Sequence, residues 1–282
     1  MAEKVIIFGT GSTGERIYEE IKGLKEVIGF LDNDQVKWGG QYCGLPIFGN
    51  AKHVSKIIFD KIIVASLTGL YVIRDELLIE NVPADKIDVS YVETQVQARM
   101  NFLKDYSSMI DADNVRAVAE GGVFQGEFAK EINRYFPNAR LYLFDTFEGF
   151  DERDLAVEAE NNYSEKEIHH LHNTTEQMVL DKLPYPQRAI VRKGFFPETA
   201  KGLPDEIYAF VNLDFDLYNP ILEGLRYFYP RLEKNAIMLV HDYFNPGYKG
   251  VAEAVRDYEH EMGKSLCKFP IGDHCSIAIA KV

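Results

Sequence analysis

Cysteine is scarce in this chain, and its absence from paired motifs excludes more than any other deficit. Cys43, Cys267 and Cys275 are the only three. They are odd in number and form no CxxC pair, so neither a disulfide framework nor a cysteine-built zinc site is expected. No run approaches the roughly 20 apolar residues needed to span a membrane. Positive charge is short as well: 31 Lys and Arg stand against 44 Asp and Glu, a net charge of −13. Nucleic acid and anionic membrane surfaces are therefore poor partners. Repeats, low-complexity tracts and a Pro- or Ser-rich linker are all missing. Met1 is followed by Ala-Glu-Lys and at once by a strand pattern, which leaves no room for the apolar region of a signal peptide and places the expected protein in the cytoplasm. The single tryptophan, Trp38, supports no functional reading.

What is present is core-forming material, with 46% hydrophobic and 12% aromatic residues over 282 positions, enough for two domains or one large α/β unit. The first hundred residues have a nucleotide-binding rhythm. KVIIFGTG (residues 4–11) reads as a strand ending in glycines, STGERIYEEIKG (12–23) as a helix and EVIGFLDND (26–34) as the next strand. Gly9, Gly11 and Gly14 match G-x-G-x-x-G, and Asp32 ends the second strand where an acid accepts ribose hydroxyls. Such glycines let backbone approach a phosphate at a helix N-terminus. GLPIFGN (44–50) and KIIVAS (61–66) predict further strands and YVIRDELLIENV (71–82) a helix, before the pattern stops near Val89. A full dinucleotide fold needs a second half that this stretch is too short to supply. The expected division is a nucleotide-binding domain over 1–91, a connecting helix over 92–110 and a second domain over 111–282.

The second domain restarts a doubly wound pattern. Strands are predicted at RAVAEGGVF, ARLYLFDTF, AIVRKGFF, YAFVNLDFD and AIMLVHDYF, with a last strand in GDHCSIAIAKV (272–282). Helices fit between most of them, at 173–183, 220–232 and 250–263 among others. Alternation of this kind implies a mainly parallel sheet covered on both faces. Acids cluster where those strands end, at the edge where open α/β sheets bind ligands. Asp145 is placed to accept ribose hydroxyls; its bland alternative is a turn or cap acid. Asp214 and Asp242 suit a hard dication, which wants oxygen ligands. His241 either joins them, favouring a transition ion, or serves as a base, or is simply a bonded strand-end histidine. Asp216, two residues past Asp214, shares its side if the strand continues; capping the helix ahead of Pro220 is the alternative. The polar stretch 151–173 is long for an α/β connection and predicts a lid or substrate loop. Its His169, His170 and His172 read as solvated rather than as a metal site.

These motifs, in order, resemble one family. EGGVFQG, FDTFEGF, the helix opening NTTEQM, KGFFPET, LDFDLYNP, HDY and the helix opening GVAEAV are similar to the TylF/macrocin-type O-methyltransferases over about residues 119–282. Those enzymes use S-adenosylmethionine and a divalent metal to methylate sugar hydroxyls. The resemblance implies a class I methyltransferase domain behind a small Rossmann-like one, all α/β. It implies that Glu120, Gly122 and Gly126 hold the methionine portion of the cofactor and that Asp145 and Thr146 lie on its adenosyl side. It also makes Asp214, His241 and Asp242 the ligands of magnesium or manganese, with Asp216 and His241 the catalytic candidates. By resemblance residues 196–199 would shape the pocket, their alternative being turn residues that cap the next helix; Tyr218 and Tyr243 either line the acceptor pocket or pack at the strand ends. The chain departs from the family pattern at Gln125, Glu127 and Phe128, where Arg, Gly and Ser are common, and at His241, where a second acid is usual. The N-terminal stretch is similar to the small Rossmann-like domain of some bacterial sugar-modifying enzymes, including nucleotide-sugar acetyltransferases, and implies a nucleotide or nucleotide-sugar ligand there. The implied partner is a small-molecule sugar or nucleotide-sugar, with a homo-oligomer left open. Two other classes stay open: a nicotinamide-dependent sugar oxidoreductase run from the N-terminal glycines, and a non-catalytic nucleotide sensor.

Overall fold

The computed structural model describes residues 2–67, 69–166 and 171–282. The chain divides into two compact units, Met1–Gln97 and Ala98–Val282. In the first, strands β1 (Lys4–Phe8), β2 (Glu26–Leu31), β5 (Lys61–Val64) and β6 (Ile87–Asp88) form a parallel sheet in the order β2-β1-β5-β6. Helices α1 (Ser12–Ile21) and α2 (Leu70–Ile79) connect its strands. The core is the aliphatic set Val5, Ile6, Ile7, Ile62, Ile63 and Val64 with Ile17 and Leu77. The strand expected over 44–50 is broken: a two-residue piece, β4 (Leu45–Pro46), pairs with β3 (Gln41–Tyr42) in a hairpin, and Ile47 then makes a parallel bridge to Phe30 of β2 at the sheet's edge. Gly44 turns the chain at φ +76° and Pro46 offers no N–H to a ladder.

Helix α3 (Ser90–Met109) runs from one unit into the next. Its C-terminal part is anchored in the second unit, where Leu103 is buried and the Tyr106 hydroxyl donates to the Ala209 carbonyl at 2.8 Å.

The second unit carries β7 (Ala117–Gly121), α4 (Glu127–Tyr135), β8 (Arg140–Asp145), α5 (Glu152–Asn161), α6 (Glu176–Lys182), β9 (Ala189–Lys193), β10 (Tyr208–Leu213), α7 (Tyr218–Phe228), β11 (Leu232–Val240), α8 (Lys249–Met262), β12 (Cys267–Pro270) and β13 (Ile277–Ala280). Sheet order is β12-β13-β11-β10-β7-β8-β9. The five strands from β11 to β9 are parallel, and β13 is inserted antiparallel between β11 and β12. Period-two alternation decides which face each residue enters. Ala117, Ala119, Tyr142, Phe144, Val211, Leu213, Met238 and Val240 pack beneath α7 and α8, whereas Val118, Leu141, Leu143, Phe210, Ile237 and Leu239 pack beneath α3, α4 and α6. Two separate cores therefore hold one doubly wound sheet, and the strand order reverses beside β7.

Three expectations need correction. Strand β12 was not foreseen, because Cys-Lys-Phe-Pro is short, mixed in polarity and ends in proline. The stretch 151–173 is not all loop: Asp151 accepts from Arg153 N and caps α5, which buries Asp154 and Glu158. Strand β10 ends at Leu213, so Asp216 does not continue it; Asp216 lies in the turn before α7 at φ +64°. His169 and His170 lie outside the described residues.

Candidate active site

The site forms where β7, β8, β10 and β11 end. Gly121 closes β7, and the chain then turns at Gly122 and Gly126, both at φ +79°, a region that favours glycine. Space matters as much as dihedral angle. A Cβ on Gly122 would overlap the Asp214 carbonyl oxygen, and one on Gly126 would stand 2.9 Å from Val179. Backbone bonds fix the turn to its neighbours: Gly122 N donates to Phe144 O at 2.8 Å and Asp214 N to Gly121 O at 2.7 Å.

Asp145, the last residue of β8, grips this turn. Its Oδ2 accepts from Val123 N at 2.7 Å and Phe124 N at 2.8 Å, and its Oδ1 from Phe147 N at 2.7 Å. Burial raises its pKa against the pull of those three amides. A carboxylate has about four acceptor positions, so one remains for a ligand. Thr146 is engaged locally, donating to Gly149 O at 2.5 Å and accepting from Glu148 N. Glu120 is buried; Oε1 accepts from Asn212 Nδ2 at 3.0 Å while Oε2 has no partner among the described residues. Burial holds its pKa well above the usual carboxylate range despite the nearby Arg99 charge.

Asp214, Asp216, His241 and Asp242 converge, offering ligand atoms within 4.8 Å of one another. His241 Nδ1 lies 2.9 Å from Asp214 Oδ1 and 2.8 Å from Asp242 Oδ2. Burial disfavours the imidazolium, but the two carboxylates override it and lift the His241 pKa well above its ordinary value. Burial likewise opposes ionisation of Asp214 and Asp242; Arg99 and His241 hold Asp214 low, and His241 holds Asp242 low. Asp216 goes the other way. Burial first, then Asp242 and Asp214, push it well above the usual range. Asp216 and Asp242 both sit at positive φ, +64° and +58°, a conformation that costs a non-glycine residue on the order of 1–3 kcal/mol. Asp216 does not cap α7, because Glu158 Oε1 on α5 accepts from Tyr218 N at 2.8 Å instead.

The donor set fits a dication: three carboxylates and an imidazole are gathered at buried or partly buried positions, two of them on backbone at positive φ. Asp214 and Asp242 supply oxygens, with His241 nitrogen and Asp216 oxygen in reach. At the glycine turn a Cβ on Gly121, Gly122 or Gly126 would meet Phe215, Asp214 or Val179, so the turn packs tightly against its neighbours.

Three participants escaped the sequence reading. Arg99 on α3 donates from Nη2 to Asp214 Oδ2 at 2.7 Å and lies over the Phe128 ring at 4.1 Å. Nothing marks one arginine in a polar helix as buried. Cys275 Sγ donates to Asp242 Oδ1 at 3.3 Å, and Asn245 Nδ2 to the same oxygen at 2.6 Å. A lone cysteine and a loop asparagine carry no spacing signal. Conversely, Phe196 belongs to the core, ringed by Phe144, Phe215 and Phe228, and Tyr218 and Tyr243 pack against that core.

Two of the three motif glycines in the first unit, Gly9 and Gly14, have packing roles. A Cβ on Gly9 would stand 2.7 Å from Ala65 O, and one on Gly14 would overlap the Gly9 carbonyl; Gly11 faces open space. Asp32 is occupied by its own neighbours, accepting from Thr10 N at 3.1 Å, the Thr10 hydroxyl, Asp34 N at 2.8 Å and Lys37 Nζ at 3.2 Å.

Comparison with known proteins agrees with this geometry. The sequence profile described as Macrocin-O-methyltransferase (TylF) matches residues 80–269, more than half the chain, and one described as C2185-like, N-terminal matches residues 1–88. A Streptomyces olivaceus protein, 8-demethyl-8-(2,3-dimethoxy-alpha-L-rhamnosyl)-tetracenomycin-C 4'-O-methyltransferase, is 26% identical over 182 residues, covering 59% of this chain and 67% of its own. Among solved structures, the O-methyltransferase NovP has a TM-score of 0.53 at 17% identity, covering 66% of this chain and 80% of its own. CalS11, a calicheamicin methyltransferase, has a TM-score of 0.52 at 17% identity, covering 76% and 90%. Sheet order, the glycine turn and the family match together place this chain in the macrocin-O-methyltransferase (TylF) family, as an S-adenosylmethionine-dependent O-methyltransferase.

Proposed function

We propose that the protein transfers a methyl group to a hydroxyl of a sugar, free, nucleotide-linked or on a glycoside, with a divalent metal held by Asp214, Asp242 and His241. The observation that carries this is the convergence of three carboxylates and His241 beside the glycine turn. The tetracenomycin relative, named for a 4'-O-methyltransferase of a rhamnosyl compound, supports a sugar acceptor. When bound, S-adenosylmethionine supplies an electrophilic methyl group, and a dication lowers the pKa of an alcohol bound to it.

The chain's own residues divide the remaining work. Asp145 and the turn it grips orient the adenosyl end. Asp216 is assigned as the proton acceptor on its place among Asp214, His241 and Asp242, where a carboxylate would lie within reach of a hydroxyl brought to the cluster. His241 carries a proton between Asp214 and Asp242 in the free protein and must release it to become a nitrogen ligand. Burial of the cluster excludes water and strengthens each charge interaction there. The nicotinamide reading is not favoured, since Asp32 is consumed by its own turn.

Radiolabelled methyl donor with a panel of nucleotide sugars and glycosides, with and without chelator, tests the proposal. Label transfer that stops in chelator and returns with added dication is expected. Undiminished transfer in chelator by metal-free protein overturns the metal assignment, and transfer only to non-sugar hydroxyls overturns the acceptor class.

A further inference from the structure

Cys275 takes no part in the chemistry above, yet it is built into the same cluster. Strand β13 runs antiparallel to β11 with Ile277 facing Val240, and the same register carried two residues further sets Cys275 across from Asp242. Phe244 N donates to Cys275 O at 3.0 Å and ties the two segments there. Asp273 fixes the turn ahead of β13: its Oδ1 accepts from Cys275 N at 2.9 Å and Ser276 N at 2.7 Å, and its Oδ2 from the Ser276 hydroxyl at 2.6 Å. A buried cysteine ordinarily packs as a small hydrophobe. This one is buried with its sulfur on a carboxylate, 3.3 Å from Asp242 Oδ1, while Asp242 Oδ2 stands 2.8 Å from His241 Nδ1. The sulfur, nitrogen and oxygen donors of Cys275, His241 and Asp242 all lie within 4.8 Å of one another. Bonds of about 2.3 Å to sulfur and about 2.0–2.2 Å to nitrogen and oxygen let one ion draw such donors together.

We infer that Cys275, His241 and Asp242 form a site for a thiophilic dication of the zinc class, distinct from the hard-ion set of Asp214, His241 and Asp242. Thiolate and imidazole favour zinc and its neighbours, whereas magnesium and manganese prefer oxygen. The missing CxxC pair excludes a cysteine-rich zinc site but not this one, whose ligands meet only through the pairing of β11 with β13. On binding, the Sγ–H bond gives way to an Sγ–metal bond and the proton leaves to solvent. His241 and Asp242 belong to both sets, so zinc should compete with a hard ion. The inference needs neither the methyl donor nor the sugar acceptor.

Cobalt reports the sulfur directly, because a thiolate–cobalt bond gives an intense near-ultraviolet charge-transfer band that oxygen and nitrogen ligands lack. Full-length, metal-free protein carrying Cys43→Ser and Cys267→Ser keeps Cys275 as its sole thiol. It would be titrated with cobalt, zinc and manganese beside the same protein with Cys275→Ser, circular dichroism checking both folds. The band should appear at equimolar cobalt and vanish in Cys275→Ser. Zinc should displace cobalt, and Cys275→Ser should weaken zinc at least about tenfold, since even the partners of metal ligands are worth about 10- to 100-fold in affinity. Manganese affinity should stay within about threefold, because sulfur adds little for a hard ion. A second readout needs no change at Cys275: zinc should slow its alkylation more than manganese does. Cobalt bound without the band, a band that survives Cys275→Ser, no cobalt bound at all, or equal alkylation with either ion overturns the inference. Manganese binding to the same protein reports on the hard-ion set by itself, so the two assignments fail separately.

Discussion

Replacing Asp145 tests whether this residue is first a ligand acceptor or first a structural clamp. Sequence alone suggests that Asp145→Ala costs only cofactor affinity, about 1.5–3 kcal/mol for a lost charged hydrogen bond. The structure points to a greater cost, in stability. Three backbone amides, Val123, Phe124 and Phe147, donate to the carboxylate at 2.7–2.8 Å in a largely buried place. Stranding a buried donor costs about 1–3 kcal/mol, so alanine should cost the unit about 3–6 kcal/mol even with some water entry. That is a large share of the ~5–15 kcal/mol that holds a typical domain together. Asparagine keeps one acceptor oxygen and should cost about 1–3 kcal/mol. Urea denaturation followed by circular dichroism, without ligand, reads this directly. With a urea slope of about 2 kcal/mol/M, inside the usual range, alanine should lower the midpoint by about 1.5–3 M and asparagine by about 0.5–1.5 M. A midpoint shift under about 0.3 M for Asp145→Ala would refute the clamp and return Asp145 to a purely ligand-facing role.

Gly122→Ala should cost at least ~2 kcal/mol, from positive φ and overlap with the Asp214 carbonyl, and thermal melts should record it. Burial raises the Asp154 pKa from 3.8 to about 7, so the folded state keeps a proton that the unfolded chain loses. That group therefore erodes stability as pH rises from about 4 to 7, by up to ~4 kcal/mol; the stability advantage of Asp154→Asn over wild type should grow across that window, and a constant difference in urea melts would refute it. His241→Asp should move metal preference from manganese toward magnesium, read by metal titration of methyl transfer and of binding heat.

The strands that carry the site were legible because each is an apolar run stopped by an acid or glycine: AEGG, LFDT, NLDF and LVHD announce both the sheet and its ligand edge. The insertion of β13 was not, since β12 is only Cys267–Pro270 and Gly272 onward reads as a single terminal strand. Asp154 and Glu158 lie in the polar stretch expected to be a lid or substrate loop, yet they are buried, and Glu158 serves the start of α7 from another helix. Tertiary packing overrides local polarity there. Asp216 was assigned to the right cluster for the wrong reason: a left-handed turn brings it beside Asp214, where strand alternation had been expected to. Arg99 could not be singled out because a helix that buries one charge has no distinguishing period.

The fit between Gly122 and the Asp214 carbonyl has a thermodynamic consequence. With no space for even a methyl group between them, and with Asp214 N bonded to Gly121 O, the glycine turn and the end of β10 that would offer a dication its oxygens are packed directly together. Two ligands seated on a shared rigid element are coupled, and equilibrium coupling is reciprocal. If the proposed dication binds at Asp214, the factor by which the methyl donor changes its affinity, up or down, is the factor by which the dication changes the donor's.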